Sequence, residues 1–184
     1  MATLAPRLKA GSTAPAFDLP GVDGKRHTLE SVRGPNGLVV MFICNHCPYV
    51  KAVAEKIARD TADLRQRGIG SIAISSNDAV SYPEDSFQNM KKFAAQHGFA
   101  FPYVFDETQD VARAYDAVCT PEFFGFDRNL KLGYHGRMDA SGRSADPAAR
   151  RELYEAMVAI AEGRPAPAEQ HPPMGCSIKW KLED

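Results

Sequence analysis

Two cysteines, Cys44 and Cys47, are separated by two residues and lie between an apolar run and a helical pattern. Two sulfurs at this spacing, where a strand leads into a helix, can close a small disulfide ring with little backbone movement. The positive end of the helix dipole favours thiolate over thiol, and can lower a cysteine pKa from about 8.5 to roughly 3.5–7.5. The pair therefore indicates reversible redox chemistry at neutral pH.

His46 lies between the two sulfurs, where it can tune their pKa as a hydrogen-bond donor or as a cation. The alternative for His46 is an exposed residue at the start of a helix. The alternative for Cys44 and Cys47 is half of a structural zinc site. We favour redox chemistry because a closed all-cysteine site normally uses a second close pair, whereas Cys119 and Cys176 are far apart in the sequence. We assign neither a metal nor a bound cofactor.

The remaining cysteines are candidates for auxiliary thiols. Cys119 is either a third redox partner or a small buried apolar residue, the commonest fate of a free cysteine. Cys176 follows a proline-rich stretch, 165–173, and precedes Ile178 and Trp180. Because a disordered tail is not expected to keep such apolar groups, we expect this segment to dock and to bring Cys176 toward the cysteine pair.

Composition limits the class of protein. A chain of 184 residues, 44% of them apolar, can bury one ordinary core. A net charge of −1 produces no field that would hold nucleic acid or an anionic membrane. The first twenty residues lack a signal-peptide pattern, and the longest apolar run, 38–44, is far too short to cross a bilayer. We expect a cytoplasmic protein with catalytic cysteines, and with neither nucleic acid nor a membrane as partner.

The order of elements predicts an α/β fold. An N-terminal hairpin turns at Asp23-Gly24. Further strands are expected at 38–43, 69–75, 102–105, 122–126 and 130–134. Helices are expected from Val50 to Gly68, from Phe87 to Gly98, after a capping box at Asp106 and Gln109, and from Asp146-Pro147 to Gly163. This order requires a mixed central sheet with helices on both faces, formed by residues 1–163, with residues 164–184 as an extension packed on that domain.

Four segments together resemble one family: 14–24, 44–48, 119–124 and 174–181. They look like the peroxiredoxin-like, AhpC/TSA-related proteins of the thioredoxin-fold redoxins. The resemblance implies a thioredoxin-like fold in which Cys44 is the exposed attacking thiol and Cys47 the resolving thiol. It also implies that Pro121 is a cis proline packed against the pair, with Cys119 nearby. Thr120 is then the substrate-binding residue, because the segment before that proline can receive a peptide as an added strand.

Two departures from better-known patterns narrow the activity. Thioredoxin has a tryptophan before its first cysteine and Gly-Pro between the two, whereas this chain has Ile43 before the pair and Asn45-His46 within it. A general protein-reducing role is therefore not expected. In peroxiredoxins, a proline precedes the reactive cysteine by seven residues and a threonine precedes it by three. Neither Cys44 nor Cys47 has these residues at those positions. We therefore expect weak or no peroxidase activity.

The predicted function is that of a thiol–disulfide oxidoreductase with a role in redox homeostasis. Its substrate would be a disulfide-containing protein, a small thiol or a peroxide, and an external thiol system would reset the pair. Two alternatives stay open. One is a thiol peroxidase or redox sensor that forms a sulfenic acid. The other is a copper(I)- or zinc-binding protein that uses both thiolates with His46 or a later cysteine.

Overall fold

The computed structural model describes residues 8–183. The strands are β1 (Asp18–Pro20), β2 (Arg26–Thr28), β3 (Gly37–Phe42), β4 (Ile69–Ser75), β5 (Tyr103–Phe105), β6 (Cys119–Thr120), β7 (Glu122–Phe126), β8 (Leu132–Gly136) and β9 (Cys176–Ser177). The helices are α1 (Leu29–Val32), α2 (Pro48–Arg65), α3 (Phe87–Gln96), α4 (Asp110–Tyr115) and α5 (Glu152–Ala161), with a 3-10 turn at Pro83–Asp85. No helix within residues 8–183 has the length and apolar character needed to span a bilayer.

Five strands form the central mixed sheet, in the order β5-β4-β3-β7-β8. Strand β3 pairs in parallel with β4, and β4 in parallel with β5. Strands β7 and β8 continue the sheet in antiparallel pairing. The β3 strand is buried along its whole length, as its continuous apolar composition predicts for a strand covered on both faces.

The helices lie on both faces of this sheet because side chains of β3 alternate between them. Val39 and Met41 pack with α2, α3 and α5 on one face. Leu38 and Val40 pack with α1 and α4 on the other face. The predicted N-terminal hairpin is also present, since β1 pairs with β2 in antiparallel register. This architecture confirms the predicted fold class.

Two helix starts differ from the prediction. Helix α5 begins at Glu152, because Asp146 is held in the preceding loop: its N–H donates to the Ser141 hydroxyl, 3.0 Å away, and its carbonyl accepts from the Lys56 ammonium, 2.5 Å away. The reciprocal capping box before α4 is also absent. Asp106 does accept from backbone N–H groups of α4, but the Gln109 side chain points elsewhere and donates to other carbonyls. Both expectations were wrong because Asp146 and Gln109 hydrogen-bond to residues that are distant in the sequence.

The C-terminal segment packs on the domain. Strand β9 pairs in antiparallel register with β6, and Ile178 is only 3% exposed. Ile178 belongs to the apolar cluster that also contains Phe42 and Tyr115, on the sheet face covered by α1 and α4. The tail is therefore part of the folded structure around the cysteine pair.

Candidate redox site

The cysteine pair lies at the carboxyl end of the central strand. The β3 strand ends two residues before Cys44, and Cys47 is the N-cap of α2, with Pro48 as the first helical residue. Proline is tolerated there because its missing N–H would have no partner within the helix. The Cys44 and Cys47 side chains are 1% and 0% exposed. The expectation that Cys44 is an exposed thiol is therefore wrong, since neighbouring segments cover both sulfurs.

Thr120 contacts both sulfurs from one side. Its hydroxyl lies 3.4 Å from the Cys44 Sγ, and its carbonyl oxygen lies 3.4 Å from the Cys47 Sγ. The peptide bond between Thr120 and Pro121 is cis, as the resemblance implied. The structure thus brings together four of the predicted site residues, although they come from distant parts of the chain.

The surroundings of the two sulfurs favour negative charge on Cys47. A hydrogen bond from the Cys44 thiol lowers the pKa of Cys47, and the Cys176 thiol and the Val50 backbone N–H act in the same direction against burial. The pKa of Cys44 is raised, first by its hydrogen bond to Cys47, then by burial and by the Asp85 carboxylate. This assignment reverses the order expected from the resemblance, in which Cys44 is the more reactive thiol.

His46 lies close to a buried carboxylate. Its Nδ1 lies 2.6 Å from the Oδ2 of Asp85, which is fully buried. Asp85 also accepts from the Asn45 backbone N–H and from the Asn77 amide, each at 2.8 Å. The His46 ring stacks on that of Tyr82, with an interplanar angle of 4°. These contacts place His46 beside the pair and against Asp85, which was not predicted as a site residue.

One set of residues could hold a metal. Donor atoms of Cys44, His46 and Asp85 all lie within 4.8 Å of one another. They offer one sulfur, one nitrogen and one oxygen, a combination compatible with zinc. This set differs from the expected one, because it contains Asp85 and lacks Cys47. Both Asp85 oxygens already accept hydrogen bonds from Asn45 and Asn77, so a metal would have to compete for them.

The two auxiliary cysteines differ in their surroundings. Cys176 is partly exposed and packs against the cluster that contains Cys44 and Cys47. Cys119 is buried, and burial followed by the Glu122 carboxylate raises the pKa of its thiol to about 12. Cys119 therefore stays protonated at neutral pH, which favours its interpretation as a small buried residue. Cys176 has the contact that a third redox thiol requires.

Comparison with known proteins identifies the family. The AhpC/TSA family model matches residues 10–135. The chain belongs to the AhpC/TSA family. A crystal structure of an uncharacterized conserved protein from Geobacillus kaustophilus is 48% identical, with a TM-score of 0.92, over 96% of this chain and 95% of that one. Its similarity extends through the C-terminal segment as well as the domain.

Two further comparisons concern a relative in sequence and a similar solved structure. The thiol-disulfide oxidoreductase ResA of Geobacillus thermodenitrificans is 30% identical over 122 residues, or 66% of each chain. This chain therefore spans slightly less than two thirds of the length of that relative. The thioredoxin domain of a thiol-disulfide oxidoreductase from Bacteroides vulgatus superposes with a TM-score of 0.64 at 18% identity, covering 84% of this chain and 99% of that one. The AhpC/TSA chain has a thioredoxin-like fold.

A buried glutamate positions β6 in this AhpC/TSA chain. Glu122 is 1% exposed, and its Oε2 accepts from the backbone N–H groups of Val118 and Cys119, at 2.8 and 3.3 Å. Its Oε1 lies 2.8 Å from the Nε2 of His135, which also stacks on Phe124. The sequence analysis missed Glu122 as a site residue. A charged residue inside a predicted buried strand was the signal that could have found it.

Proposed function

We propose that this protein is a thiol–disulfide oxidoreductase that cycles Cys44 and Cys47 between dithiol and disulfide. The observation that carries the proposal is the position of the two cysteines at a strand-to-helix junction, where both sulfurs lie 3.4 Å from atoms of Thr120, the residue before the cis proline. The similarity to an enzyme named thiol-disulfide oxidoreductase supports it. The pair lies between the end of the central strand and the start of the longest helix, two rigid elements that can keep the sulfurs in place through both redox states.

The proposed first step is attack by Cys47. Its lowered pKa supplies a thiolate, which attacks one sulfur of the substrate disulfide and breaks the S–S bond. Cys44 then attacks the Cys47 sulfur of this mixed disulfide, and its proton goes to the departing substrate thiolate. The substrate gains two electrons, and the chain is left with a Cys44–Cys47 disulfide. An external thiol returns the pair to its reduced form.

Cysteine replacements test this order with oxidised glutathione as substrate. We expect Cys44→Ser/Cys176→Ser to accumulate a glutathione adduct at Cys47, because neither neighbouring thiol is left to displace it. We expect Cys47→Ser to lose exchange, and Cys119→Ser to behave as the wild type. Mass spectrometry of alkylated tryptic peptides locates each adduct. An adduct at Cys44 in Cys47→Ser, with none at Cys47 in Cys44→Ser/Cys176→Ser, would reverse the roles. Failure of the wild type to form any Cys44–Cys47 disulfide would refute the function.

Metal binding is the second candidate, because the donor atoms of Cys44, His46 and Asp85 cluster within 4.8 Å. The measurement is the zinc and copper content of protein purified without added metal. A stoichiometric content that is lost in Cys44→Ser and kept in Cys119→Ser would support this candidate. Metal-free protein with an active dithiol would leave the oxidoreductase as the function.

A further inference from the structure

The strand edge beside the cis proline is occupied by the chain's own C-terminal segment. In the antiparallel pairing of β6 with β9, Cys119 faces Ser177 and Thr120 faces Cys176. Gly175 approaches the Thr120 carbonyl so closely that a side chain there would collide with it. The tail therefore lies along the edge at which an extended peptide would add to this fold.

Polar side chains from the domain hold the tail backbone in place. The Asn77 side-chain oxygen accepts from the Lys179 N–H at 2.9 Å, and the Gln109 amide donates to the Lys179 carbonyl at 3.0 Å. The Gln109 side-chain oxygen accepts in turn from the Lys181 N–H at 3.0 Å. Asn77 and Gln109 are themselves buried, at 3% and 1% exposed. Because the buried side-chain amides of Asn77 and Gln109 find their hydrogen-bond partners in the tail backbone, the tail has a specific docked position.

The docked tail brings a third cysteine, Cys176, next to the Cys44–Cys47 pair. Cys176 packs against the apolar cluster that contains Cys44 and Cys47, and it faces Thr120, which contacts both of those sulfurs. Cys44 and Cys47 are buried, whereas Cys176 is partly exposed. An external thiol or disulfide thus meets Cys176 before it can reach the buried pair.

We propose that Cys176 is a third redox-active thiol, which exchanges disulfides with Cys47 and carries oxidation between the buried pair and the surface. This proposal rests on the proposed function of the pair. The Cys176 thiolate attacks the Cys47 sulfur of the Cys44–Cys47 disulfide. A Cys47–Cys176 bond forms, the Cys44–Cys47 bond breaks, and Cys44 leaves as a thiolate that takes up the proton Cys176 gave up. No net electrons are exchanged in this step.

The charge around Cys176 suits this exchange. In the reduced protein, burial and the hydrogen bond to Cys47 raise the pKa of Cys176, so it serves as a thiol donor to Cys47. Once Cys47 is in a disulfide its negative charge is gone, and the nearby Lys179 and Arg143 still favour the Cys176 thiolate. Oxidation of the pair thus makes Cys176 a better nucleophile. Because β9 already pairs with the edge of β6, an added peptide strand has no place there. A low-molecular-weight thiol or disulfide is therefore the external partner that fits Cys176.

Peptide mapping of the full chain tests the proposal. Tryptic cleavage after lysine and arginine separates the cysteines into residues 34–51, 114–128 and 152–179, because the Arg164–Pro165 bond resists trypsin. After treatment with oxidised glutathione and alkylation, we expect Cys44→Ser to show peptide 34–51 linked to 152–179. We expect the wild type to show this link together with the internal Cys44–Cys47 disulfide. The link should be lost in Cys44→Ser/Cys176→Ser and kept in Cys44→Ser/Cys119→Ser.

The outcomes separate this proposal from the proposed function. If the wild type forms the Cys44–Cys47 disulfide while neither it nor Cys44→Ser links 34–51 to 152–179, the role of Cys176 is refuted and the function stands. A link from 34–51 to 114–128 would instead make Cys119 the third thiol and also refute the proposal. If peptide 34–51 never changes its redox state in the wild type, the proposed function itself fails.

Discussion

The chemistry of Cys47 is set by the groups that face its sulfur. The thiols of Cys44 and Cys176 and the Val50 N–H favour a negative charge there, whereas burial and the Thr120 carbonyl, which accepts from the Cys47 thiol, oppose it. Cys44 has the Asp85 carboxylate nearby, which disfavours a second negative charge. Two neighbouring sulfurs with the same intrinsic chemistry therefore acquire different roles from their immediate contacts.

The first prediction concerns the pH dependence of Cys47. Because its pKa is lowered, Cys47 should remain a thiolate at pH values where an ordinary thiol, with a pKa of about 8.5, is protonated. Its alkylation rate should stay near its plateau through neutral pH and fall only in acid. Cys176→Ala should move the midpoint upward, because the thiol that favours the Cys47 thiolate is lost, and Cys119→Ala should leave it unchanged. A wild-type midpoint at or above 8.5, measured by quenched alkylation and mass spectrometry, would contradict this assignment.

The second prediction concerns the carboxylate beside Cys44. Asp85→Asn removes a charge that raises the pKa of Cys44, so the alkylation midpoint of Cys44 should move to lower pH. The matched control is Glu55→Gln, which neutralises an exposed acid on α2. Alkylation of Cys44 over a pH series in both variants provides the comparison. Equal midpoints for Asp85→Asn and the wild type would show that Asp85 does not act on this sulfur.

At the scale of elements, the short strand β6 depends on a side chain of its neighbour β7. Glu122 accepts from two β6-side amides, those of Val118 and Cys119, and so fixes the backbone that carries Thr120. The bounds of β4 match the predicted 69–75, a short isoleucine-rich stretch that directly follows Gly68. The two-residue strands β6 and β9 could not be predicted this way, since their pairing joins segments far apart in the chain.

The third prediction addresses this element. Glu122→Gln keeps the shape of the side chain but removes the charge that accepts from two amides and faces His135. Hydrogen bonds to charged groups contribute about 1.5–3 kcal/mol each, so the free energy of unfolding should fall by roughly that amount. Denaturant unfolding measures it, with Glu107→Gln, at an exposed position, as the control. A variant as stable as the control would show that the Glu122 charge does not hold β6.

At the scale of the whole molecule, the docked tail brings Cys176 into the same site as Cys44 and Cys47. Ile178 is buried in the same apolar cluster as Phe42 of the central strand, and its N–H donates to the Val118 carbonyl at 3.0 Å. The tail thereby covers the cysteine pair and places Cys176 against it. Release of the tail should therefore increase the exposure of the cysteine pair.

The fourth prediction follows from that coupling. Ile178→Ala removes buried apolar contacts, which for such truncations costs about 2–5 kcal/mol. Because Ile178 anchors the tail, hydrogen exchange of the amides in 176–179 should quicken, and alkylation of Cys47 should accelerate. Leu182→Ala, at a position 92% exposed, is the control within the same segment. Unchanged exchange in Ile178→Ala would show that the tail is held without this side chain.

The sequence by itself determined the cysteine pair, its junction between strand and helix, and the mixed sheet, because these depend on local spacing and periodicity. The tertiary structure decided which groups surround each sulfur, that His46 lies against Asp85, and that Cys176 packs beside the pair. Those outcomes depend on contacts between distant segments, such as the bond from Asn45 to Asp85 across 40 residues. Periodicity carries no information about such partners, since a polar residue facing solvent and one facing a sulfur can have the same neighbours in sequence.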